Sequence, residues 1–548
     1  MTQSFTTPQA ILYHRETATP DQPFLHQPTA DGWRRFTWGD CVSQARRLAT
    51  ALRGLGLKPG DRVSIFSRNC AEWLIADYAL LIGGYISVPI YSSASEDTVR
   101  HILEHSEAKA VFVGKLDHPE AQDRGIPAAV TRIAMPYPTI TCQLDWDALI
   151  SANEPLKESW EPEPEELMTL LYTSGSTGQP KGAMHSYASF LYAGQHIGEA
   201  LALTKEDRLL SYLPLAHCTE RAYVEATSLV FANQLWFVHE IDTFGQNLKD
   251  CQPTFFGSVP RLWKVFQLQI LAQMPAGRLA FLLKLPVISG AVKRKIKAGM
   301  GLGDSRWFMS GSAPIAASLL EWWEALDMPI SEGWGMTETF AYGTLLAYGE
   351  PIRRGSIGKA CPGTDLRISD NGELEIRTQT LMQGYYKNPE STAESMTEDG
   401  FFRTGDRAEI DGDGYVKITG RVKDIFKTAK GKYVAPVPIE SRLARNPHVE
   451  LVCLVGSGLT QPVALVQLTE AAQALDKSEV SQSFEEQRVS LNESLEPHAK
   501  IGHVVVVNDT WDTENGMLTP TLKVRRHAVE AHYGAAIAAV GAERVTFL

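Results

Sequence analysis

The chain has 548 residues, which is too long for one compact hydrophobic core, so its length predicts two or more domains. Its composition, with 44% hydrophobic and 21% charged residues, is typical of a globular protein. The net charge of −12 argues against a nucleic-acid partner, because phosphate backbones attract basic surfaces. The seven cysteines are dispersed without a Cys-x-x-Cys pair, which argues against a disulfide framework or a zinc site and favours a reducing cytoplasm.

Targeting and membrane signals are absent from the sequence pattern. The N-terminus lacks the basic and apolar segments of a signal peptide. The longest uncharged stretch, from Tyr78 to Ser95, is interrupted by Gly83, Gly84 and Pro89. We therefore predict no membrane span.

From about residue 40, helical and strand patterns alternate along the chain. The spacing predicts helices over 38–55, 71–81 and 96–106, and strands over 62–66, 86–91 and 110–113. Gly56 follows the first helix as a stop signal. The alternation predicts a mostly parallel sheet with helices on its faces, and its return over 186–326 predicts a second α/β subdomain.

Residues 171–183 carry the densest chemical signal, reading Leu-Tyr-Thr-Ser-Gly-Ser-Thr-Gly-Gln-Pro-Lys-Gly-Ala after an apolar strand pattern. Glycines let a backbone approach a polyphosphate, and the amides, hydroxyls and lysine supply hydrogen-bond donors. The order differs from a Walker A loop. A mobile linker is the alternative, although linkers do not normally end in Pro-Lys-Gly. The candidate phosphate-binding residues are Thr173, Ser174, Gly175, Ser176, Thr177, Gly178 and Lys181.

The composition changes near residue 352, where tight-turn signals begin to separate short strands. Asp370-Asn371-Gly372 and Asp411-Gly412-Asp413-Gly414 are such signals. We expect a small β-rich unit over 352–420. The polar segment 420–424 follows it and predicts a boundary between a domain of residues 1–421 and a smaller α+β lid domain of residues 422–548.

Six further motifs follow the phosphate loop. They read Gly-Ser-Ala-Pro (311–314), Glu-Gly-Trp-Gly-Met-Thr-Glu-Thr (332–339), Met-Gln-Gly-Tyr-Tyr (382–386), Phe-Arg-Thr-Gly-Asp (402–406), Gly-Arg-Val-Lys-Asp (420–424) and Asn-Gly-Met-Leu-Thr-Pro-Thr-Leu-Lys-Val-Arg-Arg (515–526). This ordered series resembles the adenylate-forming superfamily of acyl-CoA synthetases, luciferases and peptide-synthetase adenylation domains. The resemblance implies an α/β fold, with a large N-terminal domain of two layered subdomains and a β-rich unit, and a mobile C-terminal domain.

Members of this superfamily attack the α-phosphorus of ATP with a carboxylate and release pyrophosphate. Because both reactants are anions, the site must supply cations and donors. The resemblance implies that Glu338 binds Mg²⁺, a hard cation, together with Thr173. Thr337 would donate to the α-phosphate, and Lys523 would be the catalytic cation. Leu522 precedes this lysine where other branches have glycine, and its nearby competitors are Lys423, Arg525 and Arg526.

The nucleoside part of ATP would lie on the middle motifs. Trp334, where the superfamily usually has tyrosine, offers a flat face to adenine, and residues 311–314 would run along the other side of the ring. Asp406 resembles the carboxylate that takes the ribose hydroxyls, assisted by Arg421; an ordinary turn aspartate is the alternative. The nucleoside-binding set is Gly311, Ser312, Ala313, Pro314, Gly333, Trp334, Gly335, Met336, Asp406 and Arg421.

The second half-reaction transfers the acyl group to a thiol. In the superfamily the C-terminal domain swings about a residue two positions after the ribose arginine, which is Lys423 here. Lys430 and Gly431 would then belong to the loop that lines the CoA tunnel; a simple surface turn is the alternative. No carrier-protein sequence follows residue 548, which favours free CoA as acceptor, although a separate carrier protein stays open.

The acid is indicated by residues 212–221, which resemble the Leu-Pro-Leu-Ala-His…Glu-Arg element of long-chain fatty acyl-CoA synthetases. His217 is near the adenylate in that branch; a buried structural histidine is the alternative. Acetate-specific relatives carry tryptophan at the place of Gly335, so glycine would leave the acyl path open. The expected substrate is a long- or medium-chain fatty acid. An aryl or polycyclic acid, and an idle nucleotide- or fatty-acid-binding protein, are the alternatives.

A basic cluster, Lys293-Arg294-Lys295 with Lys297, follows the apolar run 279–283 in this acidic chain. Such a pattern can touch an anionic membrane surface. A solvated helix face also explains it and is the favoured interpretation. We expect a cytoplasmic protein with peripheral contact at the inner face of the membrane as an option, and the sequence does not indicate its oligomeric state.

Overall fold

The computed structural model describes residues 5–173, 179–238, 240–513, 515–519, 523–541 and 543–548. The first part of the chain alternates helices and strands. Its elements are α1 (Pro8–Ala18), β1 (Pro23–Thr29), β2 (Gly32–Thr37), α2 (Trp38–Gly54), β3 (Arg62–Phe66), α3 (Ala71–Gly83), β4 (Ile86–Ile90), α4 (Glu96–Ser106), β5 (Ala110–Val113), α5 (Pro119–Gly125), β6 (Thr131–Ala134), β7 (Leu144–Asp145), α6 (Trp146–Ala152), β8 (Leu167–Thr173), β9 (Lys181–Ser186) and α7 (Tyr187–Ala200).

The middle part contains two 3-10 turns and one π-helix besides its helices and strands. Its elements are β10 (Arg208–Ser211), α8 (Cys218–Glu220), the π-helix Arg221–Ala226, α9 (Thr227–Phe231), β11 (Gln234–Phe237), the 3-10 turn Ile241–Thr243, α10 (Phe244–Cys251), β12 (Phe255–Ser258), α11 (Pro260–Gln273), α12 (Ala276–Leu283), α13 (Pro286–Gly299), β13 (Trp307–Ser310), α14 (Ala317–Glu324), β14 (Ile330–Glu332), the 3-10 turn Thr337–Thr339 and β15 (Thr344–Leu345).

The last part is first β-rich and then mixed. Its elements are β16 (Lys359–Ala360), β17 (Thr364–Ile368), β18 (Glu373–Thr378), α15 (Pro389–Ser395), β19 (Phe402–Ile410), β20 (Val416–Arg421), β21 (Phe426–Lys427), β22 (Tyr433–Val434), α16 (Pro436–Leu443), β23 (Val449–Val455), β24 (Val463–Leu468), α17 (Glu470–Gln473), α18 (Lys477–Glu493), β25 (His503–Val507), α19 (Arg526–His532), α20 (Gly534–Ala538) and β26 (Val545–Phe547).

The pairing of the strands confirms the predicted α/β class. A seven-stranded sheet has the order β7-β6-β5-β3-β4-β8-β9, and its pairs are parallel except for β8 with β9. Helix α3 is buried on every side, and its residues are apolar except for the buried Glu72 and Asp77, so it has no polar face of its own. The helix predicted over 38–55 is α2, and Gly56 closes it with φ 86° in the left-handed region.

Two further sheets form the second α/β subdomain. One has the order β10-β11-β1-β2, so strands from the N-terminus join strands of the middle part. The other consists of the parallel strands β12, β13 and β14. Ligands in parallel sheets bind outside the carboxyl ends of the strands. The segments that follow β8, β10, β13 and β14 are the motifs singled out in the sequence.

The β-rich unit is an antiparallel sheet of β17, β18, β19 and β20 in chain order. Beyond it, β23 to β26 form a mixed sheet. Two hydrophobic clusters around that sheet are built from residues of the range 426–547 alone. In the described part of the chain, every helix is too short or too polar to cross a membrane.

Candidate active site

The phosphate motif begins on one strand and ends on the next. Strands β8 and β9 pair so that Thr173 lies opposite Lys181. The Lys181 ammonium donates to Ser391 Oγ at 2.8 Å and lies 5.2 Å from the centre of the Tyr385 ring. Residues 174–178, which include the predicted Ser174, Gly175, Ser176, Thr177 and Gly178, lie outside the described residues. The hairpin nevertheless fixes the two ends of this loop at the same edge of the sheet.

The Thr337–Thr339 turn presents its side chains beside that hairpin. Buried His185 donates from Nε2 to the Thr337 carbonyl oxygen at 2.7 Å, and burial lowers the pKa of His185 to about 4. Tyr385 donates its hydroxyl to Glu338 Oε1 at 2.7 Å, and burial raises the pKa of Tyr385, which keeps that proton in place. The Glu338 carboxylate is thus oriented through one oxygen.

The donor set at Glu338 fits a magnesium ion bound mainly through substrate phosphates. Mg²⁺ is usually held by one or two carboxylates and completed by water and phosphate oxygens. The described residues contain no group of three or more histidine, cysteine or acidic side chains that could hold a metal by themselves. The second oxygen of Glu338 and the hydroxyl of Thr173 would hold the ion, and the ion would screen the charge of the phosphates.

Asp406, predicted to bind the ribose, is held by two neighbouring side chains. Asp406 pairs with Arg421 across strands β19 and β20, and Arg421 Nε lies 2.8 Å from Asp406 Oδ1. The Trp334 indole donates from Nε1 to Asp406 Oδ2 at 2.9 Å. A carboxylate accepts about four hydrogen bonds, so roughly two acceptor positions of Asp406 stay open to ribose hydroxyls.

Residues 311–314 lie next to the segment that contains Trp334, the residue that donates to Asp406. Strands β13 and β14 are parallel with Ser310 opposite Glu332, which brings Gly311 beside Gly333 at the carboxyl ends of the strands. Ser312 has φ 66°, a left-handed value that is uncommon for a serine. Gly311 and Ser312 are half-buried, whereas Ala313 and Pro314 are exposed.

Gly335 is required by a close approach of the backbone. A Cβ atom at Gly335 would lie 2.4 Å from the carbonyl carbon of Ala341, so any side chain would displace the turn. Met336 begins that turn, and the Ala341 amide donates to its carbonyl oxygen at 2.9 Å. This packing explains the glycine locally, and the open acyl path inferred at Gly335 stays a prediction.

Lys523 comes from the C-terminal domain to the same place. Its loop is held because the Thr519 amide donates to the Lys523 carbonyl oxygen at 2.8 Å and the Lys523 amide donates to Thr519 Oγ1 at 3.1 Å. The pKa of Lys523 is lowered, first by loss of water and then by Arg421, while the charges of Asp406, Cys218 and Glu338 oppose the change. The residue keeps contact with solvent.

Two of the three competing cations have partners away from the site. Arg526 forms an ion pair with Glu440 and donates to the Leu454 carbonyl oxygen at 2.6 Å. Arg525 donates to the Gly516 carbonyl oxygen at 3.1 Å. Lys423 is exposed in the turn after β20. The geometry therefore favours Lys523 over Arg525 and Arg526.

His217 stands at the start of α8, within the electrostatic reach of Lys523. Its Nδ1 accepts a hydrogen bond from the Thr219 amide at 3.1 Å, which leaves Nε2 to carry the proton of the neutral ring. Burial, and then the charge of Lys523, lower the pKa of His217 to about 4. The neighbouring Cys218 Sγ lies 3.7 Å from Thr337 Oγ1, so this segment borders the Thr337–Thr339 turn.

The structure does not bring Lys430 and Gly431 to the group of residues around Thr337, Asp406 and Lys523. They lie at the exposed tip of the β21–β22 hairpin, where Gly431 has φ 74°. The Ala429 amide donates to the Leu459 carbonyl oxygen at 2.8 Å, and His498 Nε2 donates to the Tyr433 carbonyl oxygen at 3.2 Å. The hairpin thus packs on its own domain.

Sequence reasoning missed two residues that orient the site. Tyr385 donates to Glu338. The motif 382–386 contains this tyrosine but does not by itself indicate its role, and the place of Tyr385 two residues after Gln383 was the available signal. His185 follows the phosphate motif, but nothing in a single sequence indicates that its ring reaches Thr337. Both contacts depend on tertiary packing of segments distant in the chain.

An apolar cavity of about 60 Å³ opens beside Gly311 and Ser312. Its walls are formed by strands β10, β12 and β13 and by the segment after β10. Gly335 is not among the described residues that line the cavity. Glu220 contributes a polar group to the wall, accepting from Ser211 Oγ at 2.7 Å, and burial raises its pKa to about 8. Near pH 7 this side chain is therefore mostly neutral, in keeping with an apolar occupant.

Comparison with known proteins places the chain in a family. Residues 12–386 match the AMP-binding enzyme family and residues 423–544 match the AMP-binding enzyme C-terminal domain. The long-chain-fatty-acid–CoA ligase FadD15 of Mycobacterium bovis is 32% identical over 97% of this chain and 96% of its own length. Fatty acyl-CoA synthetase A of Dictyostelium discoideum is 28% identical over 97% of this chain and 90% of its own length.

A solved structure shares the architecture. The anthranilate CoA ligase AuaEII in complex with anthranoyl-AMP superposes with a TM-score of 0.80 and 21% identity, covering 97% of this chain and 98% of that chain. The two family matches and this fold thus define an adenylate-forming enzyme. The chain belongs to the AMP-binding enzyme family.

Proposed function

We propose that this enzyme activates a long- or medium-chain fatty acid with ATP, releases pyrophosphate, and transfers the acyl group from the adenylate to CoA. The observation that carries the proposal is the position of Lys523, whose charge acts on a site that contains Glu338 and Asp406. A cation from a second domain at that point would draw the substrate carboxylate and the α-phosphate together.

Different residues of the chain bind the phosphates, the adenine and the ribose of ATP. Lys181 and the hydroxyls of the phosphate motif hold the β- and γ-phosphates, and Thr337 donates to the α-phosphate. Trp334 and residues 311–314 enclose adenine, while Asp406 accepts the ribose hydroxyls with Arg421 at its side. Glu338, oriented by Tyr385, and Thr173 hold the magnesium ion. His217, neutral near pH 7, offers its Nε2 proton to the adenylate.

The apolar cavity beside Gly311 supports an apolar acyl group. Burial of each methylene contributes about 0.8 kcal/mol, so chain length would appear directly in affinity. The names of the relatives, a fatty-acid ligase and a fatty acyl synthetase, agree with this substrate class.

For the second half-reaction we propose a division at residue 421, with 1–421 as the adenylation domain and 422–548 as the lid. The separate hydrophobic clusters of the C-terminal part support this boundary. Rotation about Lys423 would withdraw Lys523 and bring Lys430 and Gly431 toward the acyl-adenylate. A cytoplasmic location, where CoA and ATP are present, fits seven cysteines that are all free.

The proposal is tested by measuring pyrophosphate release with acetate, octanoate, palmitate and benzoate, each with and without CoA. We expect release with the fatty acids, faster with octanoate or palmitate than with acetate, and consumption of CoA in equal amount. Release with benzoate alone would move the substrate to the aryl class. Release without CoA consumption would contradict the acceptor, and no release with any acid would contradict the enzyme.

A further inference from the structure

A long segment of the chain has no acidic residue. Residues 251–303 contain eight lysines and arginines and not one aspartate or glutamate, although the whole chain has 64 acidic against 52 basic residues. The segment begins in the last turn of α10 and includes β12, α11, α12 and α13. Such a local excess of positive charge in an acidic protein attracts anions to this segment.

Within this segment, the hairpin of α12 and α13 exposes large apolar side chains at its tip. Val287 is 89% exposed, Phe281 62% and Ile288 45%. The three lie within eight residues, where α12 ends and α13 begins. Scattered single apolar residues on a surface need no explanation, but a group of this kind marks an interaction site.

Four cations flank the apolar tip. Arg278 and Lys284 belong to α12 and the residue after it, and Arg294 and Lys295 belong to α13; all four are exposed. Lys293 forms an ion pair with Asp327 at 2.8 Å, and Lys297 lies 5.6 Å from the centre of the Phe308 ring. Of the basic cluster found in the sequence, Arg294 and Lys295 are thus the members that face solvent without an ion pair among the described residues.

The other side of the hairpin packs toward the acyl cavity. Leu279 of α12 is buried in one hydrophobic cluster with Leu210 and Phe256, and these two residues line the cavity. The exposed tip and the buried face therefore lie on opposite sides of the same short helix.

We propose that the α12–α13 hairpin docks on the surface of an anionic lipid bilayer, with Phe281, Val287 and Ile288 inserted at the headgroup boundary and the four cations on lipid phosphates. Charge complementarity selects this partner, because exposed cations around apolar side chains match anionic headgroups over acyl chains. The surface would hold the enzyme where apolar acids reside, whichever acid it activates.

The test is co-sedimentation with vesicles of phosphatidylcholine and phosphatidylglycerol, compared with phosphatidylcholine alone, at low and high salt. We expect binding to the anionic vesicles that weakens with salt. The variant K284Q/R294Q/K295Q should lose about a hundredfold in partitioning, since each basic residue near the surface contributes roughly fivefold. The variant F281S/V287S/I288S should also lose at least tenfold.

The matched control is K58Q/K157Q/K417Q, which removes three exposed lysines on other elements and changes the net charge by the same amount. It should bind like the unchanged protein. Thermal unfolding midpoints within a few degrees of one another would show that all variants are folded, independently of any activity. Equal binding of the hairpin variants and the control would overturn the proposal. So would absence of binding to anionic vesicles, or a change of oligomeric state in the apolar variant in place of lost vesicle binding.

Discussion

At the scale of single residues, the site is arranged around charges that are each oriented by a neighbour. Tyr385 orients Glu338, His185 holds the backbone at Thr337, and Asp406 is held from both sides by Trp334 and Arg421. Of these partners only Arg421 carries a charge near pH 7, and that positive charge attracts the anionic ATP. Preorganised groups of this kind stabilise developing charge without reorganisation during the reaction.

Replacing Lys523 by alanine removes the cation proposed to join the two anionic reactants. We expect adenylate formation to fall by roughly a hundred- to a thousandfold, the range for losing one preorganised charge partner. Thioester formation from supplied acyl-adenylate and CoA should stay within a few fold, because that step does not use the lysine. Rapid-quench assays of the two half-reactions measure both. Equal loss in the two half-reactions would exclude this role, and the control R525A should change neither.

Trp334 has a second task besides stacking, because its indole donates to Asp406. In Trp334→Phe the flat ring stays, but Asp406 loses one donor. A hydrogen bond to a charged group contributes about 1.5–3 kcal/mol, so we expect KM for ATP to rise by about tenfold or more. Trp334→Tyr, which keeps a polar hydrogen on an aromatic ring, should show a smaller rise. An unchanged KM in Trp334→Phe would show that the indole contact does not support ribose binding.

At the scale of elements, the alternation of helices and strands was predictable from apolar spacing alone. Helix α4 and strands β3 and β5 have the predicted bounds, because their cores are apolar runs ended by turn residues. Strand β9 was not predicted, since its short sequence forms a strand only by pairing with β8. Strand β1 was missed because its pairing with β11 bridges about two hundred residues, and β2 was missed with it because, among the described strands, β2 pairs with β1 alone.

The candidate site was predictable only in part. Motifs identified Glu338, Asp406 and Lys523, because their residue types and order resemble one superfamily. The hydrogen bonds from Tyr385 and His185 could not be predicted, since they join segments separated by 47 and 152 residues. The position of the lid is also beyond sequence reasoning, because it depends on the balance of contacts between two domains, such as the Arg261–Glu450 ion pair at 3.1 Å.

In the proposed function, the second half-reaction depends on the turn between β20 and β21. Lys423→Pro fixes φ at the proposed pivot. The amide of Lys423 donates no hydrogen bond found among the described residues, so this change should not unfold the turn. We expect adenylate formation to persist within about threefold and CoA transfer to fall by a hundredfold or more. Lys423→Ala, which removes the same side chain but leaves φ free, serves as the control, and unchanged transfer in Lys423→Pro would exclude this residue as the hinge.

At the scale of the whole molecule, the proposed adenylation requires the large domain and the C-terminal domain to come together. In the proposed function, the large domain binds the nucleotide and the C-terminal domain supplies Lys523. The chain therefore has to bring residue 523 back to segments near residues 338 and 406, as the charges acting on Lys523 indicate. A further consequence is that loss of the interface should impair adenylation without harming the fold of either domain.

The most direct measurement is a crystal structure of the enzyme with Mg²⁺ and a non-reactive acyl-adenylate analogue carrying a fatty tail. We predict that the Lys523 ammonium lies within hydrogen-bond distance of both the acyl carbonyl oxygen and an α-phosphate oxygen, with the ribose on Asp406. An analogue bound elsewhere, or a lysine that stays remote from the phosphate while the lid is closed, would contradict the account.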